Sequence, residues 1–188
     1  MPHYDRPGPQ EYAPFYAGYI ASVPEGDVLA ILTQQTDDLR SLLAPLPLAT
    51  WHHRYAPGKW SVAEVLGHLC DTERILACRA LRFARGDVTP VPGFEENDYV
   101  PMGRFDDRAP HGLLAEFEMI RSATLALFRH LPDDAPARVG NANGADVSVR
   151  ALLYIITGHQ RHHAQVLRDR YLRGEPRRTR AERDPRAP

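Results

Sequence analysis

The sequence predicts an all-α protein built as a bundle of four long helices. Three observations carry that expectation. Four stretches repeat apolar residues at the three-and-four spacing of a helix with one buried face. Each is bounded by residues that start or stop helices. One short segment, Arg138–Val147, reads instead as a small hairpin, with Asn143-Gly144 as its turn. Four amphipathic helices with one apolar stripe each bury those stripes against one another.

The stretch 1–24 holds several prolines but also Tyr4, Tyr12, Phe15, Tyr16, Tyr19 and Ile20. A solvated tail is poor in aromatics, so this is expected to be an irregular arm with a short helical turn, packed on the body. The first long helix, roughly 27–44, opens at Asp27 as N-cap, aligns Val28, Ile31, Leu32, Leu39, Leu42, Leu43 and Leu46, and is ended by Pro45 and Pro47. A connection over 47–60 carries His52 and His53, which diverge as neighbours do and are expected at the surface.

The second helix, roughly 61–86, starts at Ser61-Val62-Ala63-Glu64, a capping box preceded by Trp60. Its apolar face runs from Val62 to Ala84, and Gly86 stops it. Glu73 interrupts the centre of that face and His68 lies on its flank, on the side of Thr72. A buried carboxylate needs a partner. Arg121 on the third helix, in an ion pair, and a histidine that Glu73 supports from behind are the two options. Residues 87–111 read as a long loop with an acidic, aromatic centre, the kind that forms site walls. The third helix covers roughly 112–131 and the fourth roughly 148–172. The Arg- and Pro-rich residues 175–188 are expected to form a flexible tail.

At 188 residues the chain has room for one domain with a core and too little for two. A formal net charge of -1 gives no basic field for nucleic acid or an anionic membrane, so neither is an expected partner. Lys59 is the one lysine among 23 basic residues, a skew that fits a GC-rich genome. Cys70 and Cys78 lie eight residues apart on one helix, about 12 Å along its axis and too far for a disulfide. That spacing fits a reducing cytoplasm, and there is no signal segment or long apolar run.

The fourth helix carries the chemistry. His159 and His163 fall in the middle of its apolar stripe, about 40° and one turn apart. Two core-facing imidazoles need partners: hydrogen bonds within the core, or a divalent ion, for which neutral imidazole is a common ligand. His162 lies toward the edge of the stripe.

The stretch Pro57-Gly58-Lys59-Trp60-Ser61-Val62-Ala63-Glu64-Val65-Leu66-Gly67-His68-Leu69-Cys70-Asp71-Thr72-Glu73 resembles the second-helix signature of the DinB/YfiT-like family, and His159-x-x-x-His163 resembles its fourth-helix motif. The resemblance spans about residues 12–173. It implies an up-down-down-up bundle in which His68, His159 and His163 hold a divalent ion, nickel or zinc. Three protein ligands leave positions open, the pattern of a reactive site. The resemblance further implies a homodimer, and an enzyme that activates a low-molecular-weight thiol, as an S-transferase, or water, as a hydrolase. The competing expectation is a metal-binding interaction protein without turnover.

Overall fold

The structure, a computed structural model, describes residues 2–172. The four expected helices are α2 (Val28–Leu43), α4 (Val62–Ala84), α6 (Pro110–Arg129) and α7 (Val149–Val166). Short helices lie between and before them: α1 (Ala17–Ser22), α3 (Leu48–Trp51) and α5 (Glu96–Gly103). Strands β1 (Val139–Ala142) and β2 (Ala145–Ser148) form an antiparallel hairpin that leads directly into α7.

Local chemistry explains where these helices begin. Asp27 accepts a hydrogen bond from the Leu29 amide at 2.9 Å. Ser61 accepts from the Glu64 amide at 3.0 Å while Glu64 accepts from the Ser61 amide at 2.8 Å, the reciprocal box expected. Ser148 accepts from the Ala151 amide at 3.0 Å. In the hairpin, Asn143 and Gly144 have φ of 55° and 77°. Two consecutive left-handed residues are what a two-residue hairpin turn demands, and this dipeptide tolerates them.

Cross-helix pairs fix the directions. Arg121 meets Glu73, and Ser61 at the start of α4 donates to Asp106 at 2.5 Å, just before α6 starts. The helices α4 and α6 are therefore parallel. Arg40 pairs with Glu118 and Arg129 with Thr33, so α2 runs against α6. His68 meets His159, while the Tyr171 hydroxyl donates to the Trp60 carbonyl at 2.6 Å, so α7 runs against α4. The order is up-down-down-up.

Parallel neighbours need a long crossover, and residues 85–109 supply it. This segment is not the plain loop expected from the sequence. Val91 bridges to Ala142 beside the hairpin, and α5 follows. Pro101 and Gly103 disguise α5 as a loop. Its acidic first turn, Glu96 and Asp98 behind the N-cap Glu95, suits the positive end of a helix. The fourth helix reaches its expected end but changes character there, widening from Val166 into a π turn over Leu167–Tyr171. The expected tail at 175–188 lies outside the described residues.

The N-terminal arm lies against the helices. The Tyr4 hydroxyl donates to the Phe128 carbonyl at 2.7 Å, and Arg150 holds Glu11 through two hydrogen bonds. Helix α1 then crosses α7 at Gly158. A Cβ there would lie 2.1 Å from the Tyr19 carbonyl oxygen, so only glycine lets the two backbones approach this closely.

The core has two apolar halves, one around Leu32, Phe83, Phe128 and Leu152, the other around Leu39, Trp51, Leu66 and Phe117. Buried polar residues sit at mid-helix on all four long helices: Gln35, His68, Thr72, Glu73, Arg121, Thr124, His159 and Gln160. Arg121 donates to both Glu73 oxygens at 2.8 and 2.7 Å and to the Leu32 carbonyl at 2.9 Å. Of the two readings of Glu73, the structure holds the ion pair.

Candidate metal centre

The histidines converge because two helices deliver them in register. His159 and His163 project one turn apart from α7, and antiparallel α4 brings His68 opposite. The His68 and His159 Nε2 atoms lie 3.0 Å apart, those of His163 and His159 3.1 Å. Each of the three residues offers a nitrogen within 4.8 Å of the other two. His68 and His159 are buried and His163 is partly so.

Hydrogen bonding alone does not satisfy this arrangement. An imidazole Nε2 has one in-plane site, which holds either a proton or a lone pair. The Nε2 of His159 faces two other Nε2 atoms and can serve only one of them. A cation serves all three at once. Two nitrogens each about 2.0–2.1 Å from one ion lie about 3.0–3.4 Å apart, so these side chains fit a divalent ion.

The electrostatics agree. Burial pushes the His68 pKa down to about 4. Burial and the neighbouring imidazoles push His163 down to about 3 and His159 well below its ordinary value. All three are neutral at pH 7, the form that ligates. With Nε2 free to ligate, the proton sits on Nδ1, and for His68 the Thr72 hydroxyl oxygen waits 3.4 Å away.

Aromatic rings enclose the cluster. Trp60 lies against His68 with ring centroids 4.8 Å apart, and the edge of Tyr19 meets His159 at 5.5 Å. The cluster opens into a cavity of about 430 Å³ walled by the arm, α4, the crossover, the hairpin and α7. The other singled-out histidines stay apart. His162 is exposed and touches Tyr19 and His163 by ring edges, and His53 lies against Tyr171. Glu73, held by Arg121, has no hydrogen bond to the three histidines.

The sequence pattern of the DinB superfamily matches residues 31–167. The chain belongs to the DinB superfamily. No curated protein matches this DinB-superfamily chain. Among solved structures, one similar fold is YfiT from Bacillus subtilis, described as a probable metal-dependent hydrolase with an unusual four-helix bundle topology. The two share 18% identity with a TM-score of 0.69, over 84% of this chain and 93% of that one. A second is a mycothiol-dependent maleylpyruvate isomerase, at 17% identity and a TM-score of 0.63 over 77% of this chain. This chain spans 61% of the isomerase. At such identities the likeness is one of fold.

Sequence reasoning missed part of this candidate site. Tyr19 comes from an arm without periodicity, and only the glycine at 158 hints that something crosses α7 there. Trp60 reads as a helix staple, and the structure lays it on His68. Arg79 was legible in principle. His68, Thr72, Leu76 and Arg79 recur at helical spacing, and all four line the cavity.

Proposed function

We propose that this protein is a metal-dependent enzyme in which His68, His159 and His163 hold one divalent ion, nickel or zinc. The observation that carries the reading is the convergence of three neutral imidazole nitrogens on the floor of a cavity. Among the described residues no fourth histidine, cysteine or carboxylate joins the cluster. That favours an enzyme over a sealed, non-catalytic ion. A divalent ion there supplies positive charge that lowers the pKa of a thiol or water reaching it.

We favour a low-molecular-weight thiol over water, on two grounds. A thiol with a pKa near 8.5 needs a drop of about one or two units to ionise at neutral pH, whereas water starts from about 15.7. The cavity, at about 430 Å³, has room for an organic nucleophile. The reaction class is thiol transfer to an electrophile, with hydrolysis the alternative. The chain's own part is to fix the three nitrogens, to shield them with Trp60 and Tyr19, and to orient the substrate along the cavity.

Protein purified without an affinity tag is expected to contain one divalent ion per chain by elemental analysis. His68→Ala, His159→Ala and His163→Ala are each expected to lose it, while His162→Ala, His52→Ala and His53→Ala keep it. Unchanged metal content in all three ligand variants overturns the reading.

A further inference from the structure

Among the described residues two arginines are buried, and they are treated differently. Arg121, 1% exposed, has Glu73 as a bidentate partner. Arg79, 6% exposed, has no carboxylate partner among the described residues. Its hydrogen bond is a single one, from Nη2 to the Pro92 carbonyl at 2.8 Å. A guanidinium carries five donors and a permanent charge, and burying that charge unpaired is costly. Tying the crossover to α4 through one carbonyl needs one donor and no charge. Arg79 lines the cavity, on the same stripe of α4 as His68, Thr72 and Leu76.

We propose that Arg79 is the anchor for an anionic group of the substrate, so that the cavity takes an elongated carboxylate-bearing molecule whose other end reaches the histidines. This rests on the reading of the histidine cluster as a metal site only for what happens at that other end. The acids lining the cavity, Glu95, Glu96 and Asp146, do not neutralise Arg79. Glu95 and Asp146 are exposed, Glu95 accepting from Asn97 and Asp146 from Asn141. Glu96 is half-buried on the first turn of α5. The histidines are neutral donors and add no negative charge. Among the described residues Arg79 is the one arginine or lysine that lines the cavity. The helix sets the scale of the length: eleven residues from His68 to Arg79 separate their backbones by about 16 Å along the axis, a gap that the arginine side chain can shorten. A carboxylate chelating through its own neighbouring atoms is too short to reach both ends.

The test uses ω-mercaptoalkanoic acids from mercaptopropionate to mercaptoundecanoate, and the matching mercaptoalkanols, titrated calorimetrically into the full chain in nickel-loaded and metal-free forms. The long acids are expected to bind at least about tenfold tighter than their alcohols in both forms, equivalent to about 1.4 kcal/mol. In the nickel-loaded form the affinity is expected to peak at one of the longer acids. Arg79→Gln is expected to erase the acid-over-alcohol ratio while leaving nickel content and alcohol affinity unchanged. Arg79→Lys keeps the charge and is expected to retain part of the ratio, which guards against a folding defect in the glutamine variant. Equal binding of acid and alcohol by the wild type, or a ratio that survives Arg79→Gln, overturns the proposal. An acid preference that depends on Arg79, with an affinity and a chain-length profile that are the same with and without nickel, supports the anchor while counting against the metal-dependent reading.

Discussion

His159 has the most constrained imidazole in the molecule, since its Nε2 faces two others. That crowding sets how the site responds to acid. His68 and His163 have folded pKa values of about 4 and about 3, below the ordinary 6.5. Protons therefore favour the unfolded chain between those values and 6.5. Above 6.5 these groups leave stability independent of pH. As pH falls from 6.5 toward 4 and then 3, the metal-free protein is expected to lose stability progressively. Urea midpoints measured from pH 7.5 to pH 4 check this, and the double variant His68→Leu, His163→Leu should give the shallower slope. Metal affinity is expected to fall over the same range, because a protonated imidazole does not ligate. The pair on α7 was legible in the sequence because a stripe of apolar residues makes any histidine within it conspicuous. His68, on the flank of its stripe, was reached through the family resemblance.

At the scale of elements, the crossing of α1 over α7 holds Tyr19 on His159. Gly158→Ala is expected to destabilise the protein by about 1–3 kcal/mol, because the added methyl has a backbone carbonyl in its way and no side chain to push aside. Gly18→Ala, on the facing helix, meets nothing within 4 Å. It is expected to be neutral or to stabilise by up to about 1 kcal/mol, since alanine holds a helix better than glycine. Thermal unfolding of the pair checks the crossing, and equal effects would contradict it. The arm is also held by Glu11, whose bonds to Arg150 depress its pKa from 4.5 to about 2. Its contribution is fully present above pH 4.5 and is lost as pH falls toward 2. The four long helices were legible because each carries its own periodicity and caps. Helix α5 was not, since Pro101 and Gly103 look like breakers and its eight residues are too few to show a face. The crossover's path along α4 was likewise hidden, because it depends on α4 and α6 being parallel, which no local pattern states.

Across the whole molecule, a polar layer divides the apolar core, and its strongest member is the Glu73–Arg121 pair. Removing one partner leaves a buried charge, so Glu73→Gln is expected to cost about 3–5 kcal/mol by urea unfolding. The same variant is expected to keep its metal, since Glu73 touches none of the three histidines. Metal binding itself links α4 to α7. At a free-ion concentration a hundredfold above Kd it is expected to stabilise the fold by about 2.7 kcal/mol, read as a chelator-sensitive melting temperature. The packing of the arm also sets an order of events during synthesis. Glu11 finds its partner 139 residues later in the chain, and Tyr19 meets a histidine on the same late helix. At about 5–20 residues per second the ribosome needs roughly seven seconds or more to deliver that helix. Throughout that interval the arm has no surface to close upon. The wall that covers His159 is thus encoded among the first residues, yet it gains its surface only with the late helix that also brings His159 and His163 to His68.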